Sequence, residues 1–256
     1  MAAVPPDDDT IYTLLGLLAM EEYGPDLTQD QLACIWKKYL PLGEDGGSGV
    51  GIGSWWVVRT ILRRLLGGTP LPVAGVEGNP NLQSIAAWTR ADSYGYVFPG
   101  KPEKAAELAF RDASMNHRRN GVYGSMFMAA AISAAFAVDD PMDAVRIGLT
   151  EIPRDCLFAE GVRWALDQTP ANYQEAYDLT WQRYQGMFNG SAITNACTFI
   201  STACRNTSIS RKSAPASKRW AGGSAAVEKS LSPTETLSNG DSKRESETKT
   251  GLKNHF

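Results

Sequence analysis

Between Met126 and Val138 the sequence reads MFMAAAISAAFAV, thirteen residues without a charge, and nothing else in the chain restricts the fold as strongly. A helix apolar nearly all round cannot be satisfied by one neighbour, so it belongs at the centre of a helix bundle. It is too short to span a bilayer, which takes about 20 consecutive apolar residues. No other run is longer, so no membrane partner is expected.

The flanking segments supply the other helices. Ile11, Leu14, Leu15 and Leu18 share one face of a helix expected over 11–22, with Gly24 as its stop. Thr28 has the character of an N-cap, with Gln31 three residues on completing a capping box ahead of Leu32, Ile35, Trp36 and Tyr39. Further helical patterns cover 55–66, 102–113, 141–148, 158–166 and 173–184, and loop residues dominate 67–80. Strand-like alternation recurs nowhere. The expected fold class is all-α, a compact multi-helix bundle.

A composition change marks the domain limits. Residues 205–256 hold 10 Lys+Arg against 5 Asp+Glu, a balance of +5 in a chain of net charge −3, so the body carries −8. This tail is rich in Ser, Thr, Lys and Gly, which cannot bury enough apolar surface to offset ordering entropy. The expected organisation is a folded domain over 5–204 and a disordered basic tail over 205–256. Cys34, Cys156, Cys197 and Cys204 have neither CxxC spacing nor a His-rich neighbourhood. They read as reduced thiols, and with no basic leader at the N-terminus the expected location is intracellular, in the cytoplasm.

Two stretches carry chemistry. Asp7, Asp8 and Asp9 run into Thr10 at the start of a helix. Adjacent carboxylates repel unless something offsets them, and two agents could: the helix N-terminus, or a hard divalent cation that favours clustered oxygens. Further on, His117 sits in a break before Gly121, Tyr123 and Gly124, which open the Ala-rich helix where an anionic group could approach. A buried, hydrogen-bonded His is the plainer role for such a residue. The run Gly49-Val-Gly51-Ile-Gly53 lacks the preceding strand and lysine of a phosphate loop and reads as a connection. The basic tail could contact nucleic acid, but nothing in the body supports that partner.

DDDT opening a helix, together with RADSYGYVFPGKPEKAAELAFRDASMNHRRNGVYG, resembles the ADP-ribosylglycohydrolase family, the relatives of dinitrogenase reductase-activating glycohydrolase. The likeness spans roughly residues 5–197. It implies a compact all-α protein with a two-metal site, Mg²⁺ or Mn²⁺, that cleaves the glycosidic bond of ADP-ribose conjugates. ADP-ribose or an ADP-ribosylated protein is then the expected partner. Asp8 and Asp9 match the family's metal-binding pair, and Asp7 stands where many members have a ligating Thr. His117, Gly121 and Tyr123 match residues around the ADP-ribose pocket, and Arg90 and Asp92 fall in a loop bordering the ligand.

The sequence also departs from the family. Only Met1 to Pro6 precede the acids, whereas the family supplies an earlier acidic ligand, and no Asp-x-Asp-Thr run follows Asn195. Ser191 and Thr194 replace a His and an Asn of the family's late segment. The expectation is a shortened or mis-assembled gene product, with metal bound weakly and turnover impaired. The alternatives are a non-catalytic remnant that binds ADP-ribose or acts as a scaffold, and a genuine basic tail.

Overall fold

The computed structural model describes residues 8–40, 56–187 and 190–213. The Gly-rich connection, residue Asp7 and residues 214–256 lie outside the described residues. Among the described residues eleven α-helices follow one another: α1 Asp8–Tyr23, α2 Gln29–Tyr39, α3 Trp56–Leu66, α4 Val73–Val76, α5 Asp92–Val97, α6 Pro102–Ala113, α7 Asn120–Ala135, α8 Pro141–Gly148, α9 Leu157–Leu166, α10 Tyr173–Tyr184 and α11 Ala192–Ser213. Two 3-10 turns, Ile85–Arg90 and Leu149–Glu151, complete the path. Among the described residues there is no strand. The nearest approach to one is a single antiparallel bridge between Ser84 and Ser191.

The all-α expectation holds, and the helix α7 is its spine. It packs against α5, α6, α8, α9 and α11, with α6 its most extensive neighbour. Ala129 on one face joins a core built with Tyr12 and Leu15 of α1, Ile35 and Trp36 of α2, Ile61 and Leu62 of α3, and Leu108 of α6. Phe127 on the other faces a second core of Trp88, Phe158, Val162, Ile193 and Ile200. Small residues let the helices meet closely. A Cβ on Gly95 would lie 2.5 Å from the Ile132 Cγ2, so α5 and α7 approach only because position 95 carries none.

Local chemistry sets the helix limits. The Thr28 hydroxyl accepts from the Gln31 N–H, and Gln31 Oε1 accepts from the Thr28 N–H at 2.8 Å, the reciprocal box read from sequence. Pro141 follows Asp140, whose carboxylate accepts from the Met142 N–H at 3.0 Å.

Four limits differ from expectation. The first helix begins at Asp8 rather than 11, because the acids are taken into its first turn. The central helix ends at Ala135, and Phe136 is 60% exposed, so the apolar run outlasts the helix. A short helix, α4, interrupts the loop read over 67–80. The last helix was given no limits of its own and continues to Ser213, past the domain limit placed at 204. Its Ala192, Ile193, Ala196, Cys197 and Ile200 are buried against α9, and that packing sustains a segment rich in Thr, Ser and Asn.

Candidate functional site

At the N-terminal end of α1, Asp8 is the first helical residue, and Asp9 and Thr10 are exposed. The second carboxylate comes from α5, whose first residue is Asp92. These helices are in contact, with Gly16 of α1 against the side chain of Ser93. Asp92 is half-buried, and its pKa is raised first by burial and then by the negative charge of Asp9. Two like charges share a partly dehydrated corner, which a cation would relieve. Asp9, Asp92 and Thr10 carry oxygen donors of the kind that a hard divalent ion prefers. Among the described residues no group of three or more His, Cys, Asp or Glu is close enough to hold a metal on its own.

Arg90 and His117 are buried. Arg90 closes the 3-10 turn Ile85–Arg90. Its Nε donates to Asp112 Oδ2 at 2.9 Å, its Nη1 to the Ala86 carbonyl at 2.9 Å and its Nη2 to Asn116 Oδ1 at 3.2 Å. The guanidinium lies 4.9 Å from the centre of the Trp36 ring. Asn116 Oδ1 can only accept, so the His117 Nδ1 at 2.8 Å carries the proton, and Nε2 accepts from the Ser84 hydroxyl at 2.9 Å. His117 has no exposed surface. Burial, then Arg90 and Arg118, hold its pKa well below the usual histidine value, so it is neutral at pH 7. In this structure both side chains spend their polar atoms on the protein itself. Both belong to an internal chain, Asp112–Arg90–Asn116–His117–Ser84, that fastens α6 to the segment before the 3-10 turn.

Gly121 is likewise a packing residue. A Cβ there would sit 2.6 Å from the Leu82 carbonyl and 3.0 Å from Gln83 Cα, so the close approach that it permits is to the chain itself. Gly124 makes room in the same way for Phe158 and Ala192. Of the residues expected at a ligand pocket beside α7, Tyr123 reaches a cavity, one of about 820 Å³ that Arg111 and Arg118 also line. That cavity lies toward the far end of α1, because Arg111 donates to the Pro25 and Leu27 carbonyls just after that helix. The sixteen residues of α1 span about 24 Å, so the cavity is remote from Asp9.

The structure therefore gathers the expected residues into three places. The Asp9 charge acts on Asp92, Arg90, His117 and Gly121 are in the interior, and Tyr123 faces the separate cavity. Sequence reasoning missed Asp112, Asn116 and Ser84. A signal for Asp112 was present, since it follows Ala105, Leu108 and Ala109 on the apolar face of α6.

Compared with known proteins, residues 4–220 match a family model described as ADP-ribosylglycohydrolase. No curated protein and no solved structure matches the chain.

Proposed function

As the chain belongs to the ADP-ribosylglycohydrolase family, we infer that it engages ADP-ribose or an ADP-ribosylated protein through a divalent cation held at Asp9 and Asp92, with hydrolytic turnover impaired. The carrying observation is the half-buried Asp92 carboxyl whose pKa the Asp9 charge helps to raise. The resemblance adds Asp8 beside Asp9 as a further ligand and places Asp7 where a ligating Thr is common. Mg²⁺ or Mn²⁺, when bound, would orient the ribose hydroxyls and activate a water for attack on the glycosidic carbon, where oxocarbenium character develops.

The chain's own contribution is electrostatic. Asp9 and Asp92 supply two negative charges, and Thr10 a neutral oxygen. This set is poor in ligands for a second ion. That is the reason for reading turnover as impaired. It also keeps the second reading, a non-catalytic binder of ADP-ribose.

The test is Mn²⁺ binding to the full chain by electron paramagnetic resonance, with release of ADP-ribose from modified protein measured in parallel. Asp9→Asn and Asp92→Asn should each weaken Mn²⁺ by at least the roughly 10–100-fold typical of losing an outer partner. Release should not exceed that of the metal-free control. Unchanged Mn²⁺ affinity in both variants would remove the pair as ligands. Metal-dependent release that Asp92→Asn abolishes would show that turnover survives.

A further inference from the structure

The helix α10 buries its small residues and leaves its large ones outside. Ala176 and Thr180 are buried, whereas Tyr173, Tyr177 and Trp181, spaced one helical turn apart on a single face, are 72%, 48% and 48% exposed. Aromatic rings stabilise a core when they are covered, so a surface stripe of them is not explained by packing. The Tyr177 and Trp181 rings lie parallel to within 10° with centroids 6.3 Å apart, so their faces point in a common direction.

Those two rings and the half-buried Tyr184 line a cavity of about 230 Å³ between α10 and the start of α11. Its threonines have committed their protons elsewhere. The Thr180 hydroxyl donates to the Ala176 carbonyl at 2.9 Å, Thr194 to the Ser191 carbonyl at 3.2 Å and Thr198 to the Thr194 carbonyl at 3.0 Å. A hydroxyl that has donated has lone pairs left to offer. The cavity therefore presents ring faces and hydroxyl lone pairs, both regions of negative potential, and no Asp, Glu, Lys or Arg among the described residues lines it.

Such a lining suits a cation whose charge is spread over carbon-bound hydrogens. Ring faces attract that group through their quadrupole, most strongly where water is excluded. Threonine oxygens accept weak C–H···O contacts from methyl groups polarised by an adjacent charge. The volume lies below the roughly 300–1,000 Å³ of sites for drug-sized ligands, which favours a compact head group. Charge agrees, since the body of the chain carries −8 and Glu175 and Asp178 stand exposed on α10. Arg183 does not oppose it, because Glu160 holds its guanidinium at 2.9 Å. That guanidinium already lies 5.4 Å from the centre of the Tyr184 ring, the same kind of pairing that the cavity offers a ligand.

We propose that the cavity between α10 and the start of α11 binds a trimethylammonium group, as choline or as trimethyllysine, at a site independent of Asp9 and Asp92. The charged head lies against Tyr177 and Trp181, and its methyl groups meet Thr180 and Thr198.

Calorimetric titration of the full chain with choline, with a peptide containing trimethyllysine, and with the neutral tert-butyl analogue of choline tests this. The analogue keeps the shape of choline and lacks its charge. Choline should bind about 10-fold tighter than the analogue, the order expected of a partly desolvated cation–π contact. Trp181→Leu should lower choline affinity about 10-fold, Trp181→Phe should recover part of the loss, and Tyr177→Leu should act in the same direction as Trp181→Leu. All three variants should melt like the wild type in circular dichroism, because both positions are half exposed. Asp92→Asn should leave choline affinity unchanged. Tighter binding of the peptide than of choline supports the proposal with a modified protein as the source, and the reverse order supports it with a small molecule as the source. The proposal is overturned if neither choline nor the peptide binds, if the neutral analogue binds as tightly as choline, if the folded Trp181→Leu and Tyr177→Leu variants keep wild-type affinity, or if Asp92→Asn alone abolishes binding.

Discussion

His117 shows how a single buried side chain couples the fold to pH. Its folded pKa lies well below the value of 6.5 that describes the open chain, and burial is the main cause. Below about pH 6.5 the unfolded state takes up a proton that the folded state refuses, so stability falls as pH drops toward the folded value. Asp112 works in the opposite sense, since burial raises its carboxyl above 3.8 and folding gains as pH falls through that raised value. Across pH 5–7 the histidine should dominate, at up to about 1.4 kcal/mol per pH unit. Thermal denaturation over that range should slope downward toward acid in the wild type and run nearly flat in His117→Gln. Removing the carboxylate instead isolates Arg90. Asp112→Asn should cost about 3–5 kcal/mol in urea denaturation, because a buried guanidinium then lacks its counter-charge. None of this pairing was legible in the sequence, where Arg90 and Asp112 stand 22 positions apart. The acidic start of α1 was legible, because neighbouring carboxylates need an explanation whatever the fold. Its partner Asp92 was also named, but their meeting depends on how α5 crosses α1.

At the scale of elements, what could be read was what acts locally. The capping box at Thr28 and the proline starts of α6 and α8 rest on residues within four positions of one another. The limits of the last helix were not legible because its stability comes from α9 and α10, and Thr194, Thr198 and Thr202 spend their hydroxyls on carbonyls within their own turn or the preceding one. The same contrast predicts two sizes of effect. Thr28→Ala removes one local cap and should cost about 1 kcal/mol. Gly95→Ala forces a methyl to 2.5 Å from Ile132 Cγ2 and 2.9 Å from the Ala129 carbonyl, where a backbone cannot yield easily. It should cost about 1–3 kcal/mol or more, and differential scanning calorimetry should rank Gly95→Ala below Thr28→Ala in melting temperature.

For the whole molecule, the apolar run at 126–138 was the best guide, since a helix without a polar face has one place to go. What it could not reveal was that its two sides serve different clusters. Ile35 belongs to one and Ile200 to the other. Ile35→Val and Ile200→Val should each cost about 0.5–1.5 kcal/mol. Their sum should equal the double variant within about 0.5 kcal/mol by chemical denaturation, because they belong to separate clusters. A spine common to both clusters has a further consequence for motion. Neither half can open without stripping α7, so its amides have no private route to water. In deuterium exchange the amides of 126–134 should be the slowest in the chain, and their rates should report the opening of the entire body at once. Those of α10, which rests mainly on α11, should exchange sooner through partial release.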